Sequence, residues 1–179
     1  MELANLIVEM RAAYQNSLGE GAAFWQRLHS DVSSGERDAS ILGEVAITAL
    51  ETMGEDDPTS LGMSACEALR RHGSGAMIER LRAIRPELPA RRGLRDWRGD
   101  ADHALCVMEA RATGSCTCSA EASRGAPVAG EQWKIESQSR DHARFSTILQ
   151  VRCTVCGTQW SVRRAEDYHY PIFSWTRKA

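Results

Sequence analysis

Cys116-Thr117-Cys118 and, after 34 intervening residues, Cys153-Thr154-Val155-Cys156-Gly157 form the stretch on which the reading of this chain turns. Thiols in pairs, one C-x-C and one C-x-x-C, have the ligand number and local spacing of a tetrahedral zinc ion. Gly157, directly after the second pair, permits the tight turn that leaves backbone N–H groups facing thiolates. The spacing therefore predicts that Cys116, Cys118, Cys153 and Cys156 share one structural Zn2+. A shell closed by four thiolates keeps no position for water, which argues against hydrolysis at the metal. Its contribution is then to folding, where structural zinc is worth about 10–16 kcal/mol in zinc-finger peptides.

Around this frame the apolar period is that of strands. Trp133-Lys-Ile-Glu-Ser-Gln138 alternates, as do Phe145 to Val151 and Gln159 to Arg163, while Ser139-Arg-Asp-His142 suits a hairpin connection. Residues 119–131, small, polar and containing Gly and Pro, read as a loop. Together these predict a small antiparallel sheet carrying the cysteines. A catalytic dithiol at Cys153 and Cys156 is disfavoured, because such a site sits at a helix N-terminus within a βαβ unit and this motif lies between strands.

Upstream the period is helical. Leu3, Leu6, Ile7, Met10 and Tyr14 make one apolar stripe, and Gly19 and Gly21 are expected to break that first helix before Ala22, Phe24, Trp25 and Leu28 begin a second. A third helix fits Asp38 to Met53, with Asp38 as cap and Gly54 as stop. Glu55-Asp-Asp-Pro58 opens a fourth, with proline at the first helical position, that runs to His72-Gly73; Met77, Ile78, Leu81 and Ile84 carry a fifth to Pro86. Pro86 to Gly99, rich in arginine, reads as a solvated connector, and Asp100 or Asp102 caps a last helix ending at Gly114. The expectation is an α+β chain: a helical bundle over 1–114, then a zinc-binding β module with an aromatic tail over 115–179.

The total charge of -2 implies neither a nucleic-acid binder nor an acidic tail. Its distribution is uneven, since residues 1–114 carry 13 Lys/Arg against 18 Asp/Glu and residues 115–179 carry 9 against 6. No secretory signal is visible at Met1-Glu-Leu-Ala-Asn-Leu6, and no window approaches a membrane span, so the expected setting is the cytoplasm. A reducing compartment favours thiolate–metal chemistry over disulfides. Cys66 and Cys106 read as buried small hydrophobes on apolar helical faces.

Catalytic signatures are not found. There is no H-E-x-x-H, G-x-S-x-G, Walker or Rossmann pattern, so the expectation is a non-enzyme. His169, in Asp167-Tyr-His-Tyr-Pro171, is weighed as a replacement ligand and set aside as an aromatic-flanked surface residue. Trp160, Tyr168, Tyr170, Phe173 and Trp175 crowd the tail and read first as cover for the sheet. Alternatively Trp160, Tyr168, Tyr170 and Trp175, with Arg163 and Arg164, form a partner-binding patch of the residue types that dominate interface hot spots.

Three resemblances follow. The Gly54-Glu-Asp-Asp-Pro58 turn between helices with small facing residues, closing in Arg70-Arg-His-Gly73, resembles a HEAT-type helical hairpin over about residues 38–85 and implies a scaffold with an interaction surface. The four cysteines with their strands resemble a zinc ribbon over about residues 115–165, from which the chain departs in having C-x-C as its first pair. The whole ending, down to Tyr168-His-Tyr-Pro171 and Trp175, is similar in general style to bacterial immunity proteins that accompany delivered toxins. That likeness implies a non-catalytic protein that binds and occludes one toxin. The competing expectation is a nucleic-acid-binding or regulatory zinc protein, whose aromatic and basic residues would stack on and neutralise a single strand.

Overall fold

The fold is given by a computed structural model that describes residues 2–54, 56–87, 98–122, 127, 132–166 and 171–178. Helices precede a four-stranded antiparallel sheet, so the chain is α+β with an N-terminal helical region. It divides into two compact units, Met1–Gly114 and Ser115–Ala179.

Among the described residues six helices build the first unit: α1 (Glu2–Asn16), α2 (Leu18–Ser33), α3 (Ser40–Glu51), α4 (Thr59–His72), α5 (Gly75–Ile84) and α6 (Arg98–Ala112), with a 3-10 turn at Arg85–Glu87. They pack as pairs, α1 on α2, α3 on α4 and α5 on α6. Between pairs α3 touches α1 and α5, and α4 touches α6. Helix α3 is the middle of this stack, which is why Leu42, Val45, Ala46, Ile47, Ala49 and Leu50 are buried around most of its circumference. A helix apolar nearly all round is stable only when neighbours cover it on several sides.

The break between the first two helices is not at the glycines. Ser17 makes it: its backbone is extended, and its Oγ accepts the Glu20 N–H at 3.1 Å. A serine oxygen satisfying an orphan N–H of the first turn is the standard N-cap. Gly19 and Gly21 lie inside α2, and Gly21 serves close packing instead. The Tyr14 ring rests against it so tightly that a Cβ there would sit 2.5 Å from two ring carbons. Pro58 falls one position earlier than expected, as the N-cap of α4, where its carbonyl accepts the Leu61 N–H at 2.9 Å. Asp38 does hold the start of α3, accepting the Ser40 N–H at 2.8 Å, although the capping position proper is Ala39. Cys66 is buried as anticipated, but Cys106 is exposed: α6 turns Val107 and Met108 into the core and leaves their neighbour outside. Most of the arginine-rich connector lies outside the described residues.

Ion pairs tie the stack at its surface. Arg80 on α5 reaches Glu44 at 2.8 Å and Glu51 at 2.6 Å on α3, and these carboxylates raise its already high pKa. With the guanidinium about a third exposed, solvent screening keeps each pair to about 1 kcal/mol or less. The apolar interior carries the stability.

In the second unit a single helical turn, α7 (Cys118–Glu121), precedes β1 (Trp133–Asp141), β2 (Ser146–Cys153), β3 (Gln159–Glu166) and β4 (Pro171–Arg177). The strands lie in sequence order, each antiparallel to the next. The stretch after Cys116 thus begins with helix, not strand or loop. The hairpin turn also falls later than expected, over residues 142–145, because β1 continues to Asp141 in register with Ser146. The aromatic tail contributes a strand of its own, pairing Val162 with Trp175 and Arg164 with Phe173. Trp133, Trp160 and Trp175 meet on one face with ring centroids 4.9–6.4 Å apart.

Replacing Gly21 by alanine tests the close approach. Alanine gains about 0.5–1 kcal/mol of helix propensity, but overpacking a filled site costs about 1–3 kcal/mol. Gly21→Ala is therefore expected to be the less stable protein in urea titrations; equal or greater stability would show that Tyr14 has room to move.

Candidate metal centre

The two cysteine pairs are held by different backbone devices. On β2 the strand ends at Cys153, and the chain turns through Thr154, Val155 and Cys156 with Gly157 at φ +75°. The Gly157 N–H donates to the Cys153 carbonyl at 3.0 Å, and the Cys153 N–H donates to Thr158 O at 2.9 Å. A positive φ at that point is why glycine follows the second cysteine. The other pair is set by the helical turn, with Cys118 its first residue and the Ala122 N–H donating to Cys118 O at 2.9 Å. Cys118 and Ala122 bury against the cluster of Trp133, Val151, Trp160 and Val162, which presses the turn onto the sheet.

These devices bring the four sulfurs within 4.8 Å of one another. Cys116 Sγ lies 3.5 Å from Cys153 Sγ, and Cys118 Sγ lies 3.5 Å from Cys156 Sγ. Sulfurs at about 2.3 Å from a common tetrahedral centre would stand about 3.8 Å apart. The cluster brackets that value, so it can hold a metal ion.

Gln132, which the sequence reading passed over, joins the two pairs. Its backbone carbonyl accepts from the Thr154 N–H at 2.9 Å and the Thr154 hydroxyl at 3.1 Å; its side-chain Oε1 accepts from the Thr117 hydroxyl at 2.9 Å. Its Nε2 lies 3.6 Å from Cys116 Sγ and 3.8 Å from Cys153 Sγ. One residue thus grips the middle of each cysteine motif and directs a donor at two sulfurs. The only signal available in advance was a polar side chain immediately before a strand.

The sulfurs differ in acidity. The Thr158 hydroxyl, with its oxygen 3.1 Å from Sγ, and the Thr158 backbone amide pull the exposed Cys156 thiol down to about 6. Burial, reinforced by hydrogen bonds to neighbouring thiols, pushes Cys118 up to about 12, and burial raises Cys116 as well. A cation thus meets a thiolate at Cys156 and must displace protons from Cys116 and Cys118. With four sulfurs around it a tetrahedral ion has its shell filled by protein.

Of the six residues named for partner binding, the four that are described do not share one face. Trp160 is only 8% exposed and belongs to the tryptophan cluster with half-buried Trp175. Arg163 lies on the opposite face, donating to Ser146 Oγ at 3.1 Å and pairing with Asp141 at 3.6 Å. Arg164, on the tryptophan face, pairs with Glu166 at 2.9 Å. Tyr168, Tyr170 and His169 lie outside the described residues. Among the described residues no helix is long and apolar enough to cross a membrane. Comparison with known proteins finds no matching family, and no match among curated proteins or solved structures.

Two results are expected. At pH 7 the purified chain binds one Zn2+ and releases at least the two protons held on Cys116 and Cys118, measurable by calorimetry in buffers of different ionisation enthalpy. Because protons compete for sulfur, affinity falls as pH falls; a pH-independent affinity would contradict thiolate ligation. In Gln132→Ala the metal is held about 10–100-fold more weakly, as read by competition with a chromophoric chelator, while the helical unit melts unchanged.

Proposed function

We propose that this chain is a non-catalytic protein-binding protein, stabilised by a structural zinc ion, and most specifically an immunity protein that neutralises a bacterial toxin in the cytoplasm. The observation that carries the binding reading is the convergence of four cysteine sulfurs within 4.8 Å. Zinc suits this donor set because four thiolates at tetrahedral spacing match its preference. A shell filled by protein gives the ion the task of holding structure, so the activity belongs to the surfaces it organises.

Two further features support the reading. The helical unit is a stack of helix pairs whose principal contacts run within a pair or to the next pair. That is the arrangement of HEAT-type scaffolds, which present extended faces to partners. The acidic excess of residues 1–114 suits a basic partner, as an enzyme that acts on nucleic acid commonly is. A cytoplasmic setting suits cysteines that stand as thiols and not as disulfides.

The test is capture from the native host, followed by work with purified components. The expected result is a single protein binding one to one, with a dissociation constant in the nanomolar range or tighter, whose toxicity on expression is relieved by co-expressing this chain. Cys153→Ser is expected to lose zinc, the order of residues 115–179 and any binding that depends on that unit, with helical circular dichroism largely kept. Failure to find a tight partner sinks the proposal. A Cys153→Ser protein that kept its β structure and lost only an activity would move the reading toward chemistry at the thiols.

A further inference from the structure

We infer that the tip of the β1–β2 hairpin is a recognition site for an acidic protein segment carrying an aromatic or large apolar side chain, with Phe145 as its anchor and Arg140 and Arg144 as its cationic rim. The inference rests on the protein-binding reading above and adds a contact on residues 115–179, to an acidic segment of a partner whose basic surface suits residues 1–114.

Phe145 is the single non-glycine residue with positive φ among the described residues, at +46°. An L side chain in that region is disfavoured, and most of all a bulky one. The ring is nonetheless 79% exposed, the most exposed large apolar side chain of the described chain. The turn is held in this shape by Asp141, whose Oδ1 accepts the Arg144 N–H at 3.2 Å. Strained backbone and solvated ring are two costs that the sheet itself does not recover, and strain of this kind collects at functional positions.

The surroundings define the partner. Strand register aligns Arg140, Thr147, Arg164 and Phe173 as one row across the face that also carries the tryptophans. Beside Phe145 this row borders a recess of about 530 Å³, lined also by Gln138 and Glu166. Arg140 and Arg144 are exposed, while Arg163 and Arg164 are already paired with Asp141 and Glu166. Exposed Arg140, which lines the recess with Phe145, and exposed Arg144, next to Phe145 in the chain, suit carboxylates by bidentate pairing, and the ring suits an apolar side chain by stacking. Glu166 at the recess repels carboxylates and phosphates alike, so the choice of an acidic protein segment over single-stranded nucleic acid follows from the protein-binding reading above. The site stands six residues along β2 from Cys153, about 20 Å from the metal end at 3.3 Å per residue.

The test uses the full-length, zinc-loaded chain and two fluorescein-labelled probes: a peptide of glutamates with two central tryptophans, and a twelve-nucleotide oligothymidylate. The peptide is expected to bind, with affinity reduced at least tenfold in Phe145→Gly and in the double variant Arg140→Glu, Arg144→Glu. Phe145→Gly should also raise the thermal midpoint, since glycine accepts positive φ freely. A lower midpoint would make the ring structural and overturn the inference, as would peptide binding untouched by either variant, or none. Oligothymidylate binding in place of the peptide would overturn both this inference and the protein-binding reading. A captured host partner that bound tightly yet ignored both variants would overturn this inference alone.

Discussion

Four thiols drawn to within 4.8 Å of one another form the constraint on which the second unit depends. Left as thiols, such a group gains little from its crowding: burial pushes Cys116 and Cys118 toward the protonated form, and no charge attracts them to one another. A divalent cation reverses that balance by replacing protons with a shared positive centre. Everything local is arranged for this, from positive φ at Gly157 to the helical turn at Cys118 and the bridging Gln132. With a cation held there, metal ligation would add to the apolar cluster that packs this end of the sheet.

The helical unit is stabilised by another principle. Its interior is a continuous apolar cluster from Leu6 to Met108, with α3 covered on several sides. Small residues let the helices approach: Gly21 receives the Tyr14 ring, and Gly43 lies so near Met77 that a Cβ would meet its thioether at 2.8 Å. Charged pairs such as Arg80 with Glu44 and Glu51 align neighbouring helices and leave the energetics to burial. One chain thus contains a unit that apolar area can fold and a unit that has few buried groups and a metal-ready cluster.

Within the sheet the tryptophan face changes character along its length. Near the cysteines Trp133, Trp160 and Trp175 pack on one another and on the helical turn. At the far end the same face carries Arg140, Arg164 and Thr147, with Phe145 beyond them. The three tryptophans near the cysteines pack within the fold, whereas Phe145 at the hairpin end is exposed. The distinction separates residues that composition alone treats as one aromatic patch.

The sequence by itself determined the α+β class, the change of period after Gly114, most helix positions and the four cysteines, because spacing and periodicity are local properties that a chain displays before it folds. Ser17 displaced Gly19 and Gly21 as the helix boundary because a side-chain oxygen that satisfies an N–H outweighs the modest cost of glycine inside a helix. Tertiary structure alone decided which aromatic residues are buried: Trp160 and Phe145 look equally available in the sequence, and strand register hides the first while the hairpin turn exposes the second. It also decided the part played by Gln132, whose partners lie 15 and 22 residues away along the chain. Such contacts depend on how distant segments are brought together, and no local pattern encodes them.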